Sequence, residues 1–269
     1  MLYAFQGGAD GAYPEFGDLL FDRVGNIYGT TEEGGVMGCS YQAGCGTVYE
    51  LSPSRSGWTE SVLYAFTGPD GQYPSSGIIL DNTGNLYGTT GQGGLYGGGT
   101  VFQLVHSTGW TESLLHSFGN GSDGSYLYAG LIFDQSGNLY GATSDGGENG
   151  GGTVFELSLS GDSWTYSLLY SFTGRRGYVC GPWGTLVMDA AGNFYGTTNC
   201  DGAYNAGSVF KLTNTGSGWT YTSLHGFTGG SDGGKPYSNV IFDTSGNIYG
   251  TALTGGSQCN CGVVWEITP

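Results

Sequence analysis

Asp134-Gln-Ser-Gly-Asn-Leu-Tyr-Gly-Ala-Thr143 decides the fold, because the chain writes this stretch five times. It returns as Asp22 to Thr31, Asp81 to Thr90, Asp189 to Thr198 and Asp243 to Ala252. The leading aspartates at 22, 81, 134, 189 and 243 are 59, 53, 55 and 54 residues apart. Around each copy the same neighbours recur in order. A short apolar run such as Leu131-Ile-Phe133 precedes it and a Gly-Gly loop follows; then come Thr153-Val-Phe-Glu-Leu157 and Trp164 to Phe172. A fixed period of this size marks a repeat protein.

Each copy reads as four strands: Leu131 to Phe133, Asn138 to Thr143, Thr153 to Leu157, and the longer aromatic segment Trp164 to Phe172. Asp134-Gln-Ser-Gly137 reads as a tight turn, since aspartate accepts bonds from amides two residues on and glycine tolerates positive φ. That chemistry accounts for the five recurring aspartates without a metal or catalytic role. No stretch has helical periodicity.

With 56 glycines in 269 residues the chain is too glycine-rich for helices, and 20 tyrosines, 13 phenylalanines and six tryptophans exclude a disordered chain. Four-stranded units of about 54 residues fit the blades of a propeller, which removes most exposed edges by closing on itself. The expectation is an all-β, five-bladed β-propeller in one domain over residues 1–269, with blades at 6–66, 67–118, 119–172, 173–227 and 228–269 plus 2–5. Leu2-Tyr-Ala-Phe5 matches Leu63-Tyr-Ala-Phe66, and Val263 to Pro269 matches a third strand. Residues 2–5 are therefore expected to pair beside 263–267 and lock the ring. The missing Trp-Thr half of that strand leads us to expect that the natural chain continues upstream into a secretion signal.

The net charge of −16 excludes nucleic acid and anionic membrane surfaces as partners, and no apolar run is long enough to span a bilayer. No cofactor is expected, although the acidity leaves weak calcium binding open.

The strings Gly-Asn-Leu-Tyr-Gly-Thr-Thr, Gly-Gly and Gly-Thr-Val-Phe-Glu-Leu resemble the GloVer-type tandem repeats of secreted bacterial proteins. The resemblance covers essentially the whole chain. It implies an extracellular or surface-attached protein with propeller-like repeats, and it carries no activity to transfer.

Departures from the repeat concentrate in one set of loops, the Gly-Gly loops and those leading into each blade, which share one face. A scaffold that repeats its strands and varies one loop set presents its site there. All six cysteines lie in these loops. Zinc would need a different spacing and nearby histidine. Disulfides are expected between Cys39 and Cys45, Cys180 and Cys200, and Cys259 and Cys261, with crossed pairing between blades five and one as the alternative. The second closes about 21 residues, roughly 3 kcal/mol of loop entropy. His116 and His225 take the place of packing tyrosines Tyr64 and Tyr170, and His106 lies in a turn. Asp10, Asp70, Asp123 and Asp232 precede glycines and read as turn residues.

Three functions fit. An extracellular carbohydrate-binding or surface-recognition module would take a polysaccharide or cell-surface glycan as partner and act as a monomer. A glycoside hydrolase or polysaccharide lyase would use Glu15, Asp18, Glu32 and Glu33 of blade one. An architectural surface protein needs no site. The expected site lies at blades four, five and one, where Arg175, Arg176, Trp183, Lys235, Tyr237 and Asn239 break the repeat. Trp183 stands where blade three has Tyr128, and Asn239 where blade one has Asp18. There Trp183 would stack a sugar and Arg176 or Lys235 would pair with a ligand carboxylate.

Overall fold

The structure is a computed structural model, and it describes residues 1–15, 17–39, 43–161, 163–174 and 178–268. The protein is an all-β propeller with five blade sheets. Blade one comprises β1 (Leu20–Phe21), β2 (Ile27–Thr31), β3 (Thr47–Ser54) and β4 (Gly57–Ala65). Blade two comprises β5 (Ile79–Leu80), β6 (Leu86–Thr90), β7 (Thr100–His106) and β8 (Trp110–Ser117). Blade three holds β9 (Ile132–Phe133), β10 (Leu139–Thr143), β11 (Gly150–Ser160) and β12 (Ser163–Thr173). Blade four holds β13 (Val187–Met188), β14 (Phe194–Thr198), β15 (Ser208–Asn214) and β16 (Trp219–Gly226). Blade five has β17 (Ile241–Phe242), β18 (Ile248–Ala252) and β19 (Val263–Ile267). Every sheet is an antiparallel meander in chain order.

The chain forms two compact units, one of Met1–Asn120 with Ser125–Leu131 and one of Gly121–Gly124 with Ile132–Pro269. Within them the repeat motif explains itself. Asp22 Oδ1 accepts the amides of Val24 and Asn26, both at 2.9 Å, and its Oδ2 accepts the Asn26 side-chain amide and the Tyr28 hydroxyl. Asp81, Asp134, Asp189 and Asp243 repeat all four contacts. Burial pushes the carboxyls of Asp22, Asp81, Asp189 and Asp243 up, but these donors outweigh it and hold all four below the usual carboxylate range. The glycine after each tyrosine has a packing cause. Gly29 faces Tyr49 across the ladder and Gly88 faces Phe102, and a Cβ there would lie 2.5 Å from the Tyr49 hydroxyl or 2.6 Å from Phe102. The third strand's aromatic ring lies flat over the glycine of the second.

Those rings build the core between blades. Phe66 at the end of blade one packs on Phe102 of blade two at 5.0 Å, and Phe172 on Phe210 at 4.9 Å. A register shift at Val48/Tyr49, Val101/Phe102, Val154/Phe155 and Val209/Phe210 leaves one extra residue in the fourth strand, Leu63, Leu115, Leu169 and Leu224. Hydroxyls tie the loops as well. Thr30 Oγ1 donates to the Ser76 carbonyl at 3.1 Å, Thr89 to Ala129 at 3.1 Å and Thr197 to Ser238 at 3.1 Å.

One expectation about closure is corrected. Residues 2–5 form no strand, and β19 has β18 as its only sheet neighbour among the described residues, so blade five is three-stranded. The N-terminal residues use their side chains instead. Phe5 packs on Tyr49 at 5.0 Å, the same contact that Phe66 makes with Phe102. The end blades also keep exposed the apolar positions that are buried elsewhere. Leu19 is 57% exposed where Ile78, Leu131, Leu186 and Val240 are buried, and Val264 on β19 is 81% exposed.

Candidate functional site

In blades one, two and five the loop leading into the blade and the blade's Gly-Gly loop lie at the same end and bridge one another. Ala12 pairs with Glu33, Gln72 with Gln92, and Gly234 with Thr254. This common end is the face that the sequence varies.

The residue after each of these bridges adopts a left-handed backbone. Tyr13, Tyr73 and Lys235 have φ of 54°, 56° and 52°, and Tyr126 has 59° at the same place in the loop leading into blade three. Bulky residues rarely occupy this region. The conformation aims an amide at the preceding blade: Tyr73 N donates to the Cys45 carbonyl at 3.0 Å, Tyr126 N to Gly98 at 2.8 Å and Lys235 N to Ala206 at 2.7 Å. Tyr13 is 60% exposed there, and Tyr73 and Tyr126 are half-buried. Tyr126 stacks nearly parallel to Tyr128, with ring centres 6.4 Å apart. A positive φ leaves no mark in the sequence when the residue is not glycine.

In the first unit the expected carboxylates come together in part. Burial pushes Glu32 up, and the Glu15 charge, a hydrogen bond with Glu15 and the Glu33 charge add to it. The Glu15 and Glu32 side chains therefore lie against one another. Glu33 serves the loop bridge through its backbone, with Ala12 N at 2.8 Å from its carbonyl, and Asp18 is exposed. Tyr128 is half-buried, and burial first, then Tyr126 and Glu32, raise its phenol. Gly91 packs against both the Tyr128 ring and Ser75, which is fully buried with no hydrogen bond to its hydroxyl among the described residues.

In the second unit Trp183 meets Tyr237 edge-on, ring centres 4.9 Å apart. Asn239 Oδ1 accepts the Thr185 amide at 2.6 Å, so half of this side chain is spent joining the loops of blades four and five. Lys235 is exposed. Arg175 and Arg176 lie outside the described residues. The disulfides are Cys39–Cys45, Cys180–Cys200 and Cys259–Cys261, with Cα separations of 5.2, 4.7 and 5.2 Å. The local pairing replaces the crossed alternative. Among the described residues no three His, Cys, Asp or Glu side chains are grouped to hold a metal ion.

The loop aspartates and the histidines form a system that the sequence reading took only as packing. Tyr3 donates to Asp10 at 3.0 Å and Tyr64 to Asp70 at 2.6 Å, while His225 Nε2 lies 3.3 Å from Asp232. Tyr3, Tyr64 and His225 thus each fasten the next lead-in loop. Its ring also packs against the phenylalanine two residues on, at 5.1 Å for Tyr64 and 4.7 Å for His225.

Among solved structures the chain is similar to a protein described as a candidate gluconolactonase, at 15% identity and a TM-score of 0.50, over 93% of this chain and 72% of that one. It is also similar to a Dyadobacter fermentans protein described as of unknown function, at 13% identity and a TM-score of 0.51, over 89% and 74%. At such identities the likeness is one of fold. No curated protein matches the sequence. The family model described as the Gloeobacter/Verrucomicrobia repeat matches residues 1–179 and 105–269, which together take in every blade. With its five copies of the aspartate turn and aromatic-on-glycine ladder, the chain belongs to the Gloeobacter/Verrucomicrobia repeat family.

Proposed function

We propose that the protein is an extracellular carbohydrate-binding or surface-recognition propeller that engages a glycan through its variable loop face. The observation that carries this reading is the set Tyr13, Tyr73 and Tyr126, held at φ between 54° and 59° in the same lead-in loop. Strain repeated at one position needs a use, and here it presents aromatic rings at loop tips. Rigid tyrosines stack on sugar rings at small entropic cost while their hydroxyls reach sugar oxygens. Trp183, Tyr237 and Lys235 supply further contacts on the loops of blades four and five, and Arg175 and Arg176 complete the proposed ligand-binding set. Three disulfides favour an oxidising, extracellular compartment.

The hydrolase reading is the weaker one. Carboxylates that flank a scissile bond stand about 5–5.5 Å or 6.5–9.5 Å apart. Glu15 and Glu32 instead share a hydrogen bond. A polysaccharide panel read for both retention and new reducing ends separates the two. Retention without products supports the binding module. Products that disappear in Glu15→Gln would establish the enzyme.

A further inference from the structure

Blade four departs from the repeat in three linked ways. In blades one, two and five the first glycine of the Gly-Gly loop presses on a glycine turn of the lead-in loop. A Cβ on Gly34 would lie 2.5 Å from the Gly11 Cα, on Gly93 2.5 Å from the Gly68 carbonyl, and on Gly255 2.5 Å from the Gly230 carbonyl. Blade four has Asp201 at this position. The equivalence is fixed by one recurring bond: Gly207 N to the Asp201 carbonyl at 3.1 Å matches Gly46 to Gly34, Gly99 to Gly93 and Gly262 to Gly255 at 3.0–3.1 Å. The Cys180–Cys200 disulfide joins the loops where blades one, two and five use a two-way backbone bridge. Cys200 N reaches the Cys180 carbonyl at 3.3 Å, as Gln92 N reaches Gln72 at 3.1 Å and Thr254 N reaches Gly234 at 3.0 Å.

The third departure is the loss of the loop aspartate. Tyr170 occupies the position of Tyr3, Tyr64 and His225, which reach Asp10, Asp70 and Asp232. Its hydroxyl has no hydrogen-bond partner among the described residues, and its ring stacks on Tyr221 at 5.3 Å and 11°. Between Tyr170, Phe172, Asp201, Asn205, Tyr221 and Ser223 lies an open cleft of about 660 Å³. Asp201 is held there by the Thr198 hydroxyl, and Tyr221 by Ser208 at 3.3 Å.

We propose that this cleft is a sugar subsite peculiar to blade four, in which the Asp201 carboxylate and the Tyr170 hydroxyl bind hydroxyls of a pyranose ring. This rests on the carbohydrate-binding reading but on different residues. A carboxylate accepts two hydroxyl donors at once, the phenol both donates and accepts, and the amide and hydroxyl of Asn205 and Ser223 extend the polar wall. The cleft's volume falls within the range of small-molecule sites. Burial pushes the Asp201 carboxyl up and its hydroxyl donors offset this only in part, as expected of a carboxylate still short of donors.

The test uses the full chain and a panel of neutral hexopyranoses and their disaccharides, read by saturation-transfer NMR and titration. Asp201→Gly restores the glycine of the other blades and so keeps the fold, which thermal unfolding verifies. Tyr170→Phe removes one hydroxyl. At least one panel sugar is expected to bind, with affinity falling tenfold or more in Asp201→Gly, severalfold in Tyr170→Phe and not at all in Val24→Ser, an exposed residue of the blade-one aspartate turn. No binding by any panel sugar overturns the proposal, as does binding that survives Asp201→Gly in a folded protein. Loss in Tyr73→Gly alone would leave the tyrosine reading standing and remove the blade-four subsite. Loss in Asp201→Gly alone would do the reverse.

Discussion

Asp81 shows how much chemistry one recurring residue holds. It accepts the Thr83 and Asn85 amides, the Thr83 hydroxyl, the Asn85 side chain and the Tyr87 hydroxyl. Replacing it with alanine strands several donors, and Asp81→Ala is expected to lose about 1–3 kcal/mol in denaturant unfolding. Asp22, Asp81, Asp189 and Asp243 titrate below their unfolded value, so their stabilisation is present above about pH 4 and lost as pH falls through the folded pKa. Glu112 has the opposite sign. Burial, then the Asp70 charge, push it up to about 7, and its buried Oε1 has no hydrogen-bond partner among the described residues. Its contribution is present below the unfolded value near pH 4.3 and lost as pH rises to about 7. Glu112→Gln should therefore melt higher than the parent at pH 8 and close to it at pH 4.5. An equal gain at both pH values would show that charge is not the cause. The aspartate turn was legible from Asp-x-x-Gly-Asn alone, since its bonds are local. The burden on Glu112 was not, because Asp70 reaches it from another loop.

At the scale of elements, strand limits followed from alternation and turn signals, and the five-fold copying fixed the blade count. The glycine in Leu-Tyr-Gly-Thr went unexplained until the ladder set Tyr49 and Phe102 over Gly29 and Gly88. The expected strand at residues 2–5 failed for a definable reason. Matching Leu2-Tyr-Ala-Phe5 to Leu63-Tyr-Ala-Phe66 transferred a side-chain pattern, and the Phe5–Tyr49 contact honours that pattern without ladder hydrogen bonds. The Cys180–Cys200 pairing was legible because both cysteines fall in loops of one blade, but its stand-in role for a lost backbone bridge was not. Closing a sequence separation of 20, this disulfide is expected to contribute about 3 kcal/mol. Cys180→Ser with Cys200→Ser should lower the unfolding free energy by that order. An unchanged midpoint would mean the loop is held by other contacts.

Over the whole molecule, the face that varies was readable from the sequence, while the residues that matter on it were read only in part. Trp183 and Tyr237 do meet, and Glu15 does meet Glu32, but Asn239 is half committed to Thr185. The left-handed tyrosines and Asp201 needed coordinates, since both depend on what neighbouring backbone allows. The net charge of −16 adds a constraint: sugars that carry anionic groups must be met by the few cations, so Lys235→Ala should weaken anionic glycans more than neutral ones, and less so at high salt. On the proposed function, Tyr13, Tyr73 and Tyr126 keep a strained backbone for the sake of binding. Glycine relieves about 1–2 kcal/mol of left-handed strain per site against an entropic loss of about 0.5–1 kcal/mol. The direct measurement is glycan affinity and melting temperature, side by side, for the parent and for Tyr13→Gly with Tyr73→Gly and Tyr126→Gly. A melting temperature equal to or above the parent's and a tenfold or greater loss of affinity are expected. A lower melting temperature with affinity intact would show that the rings serve the fold and not a ligand.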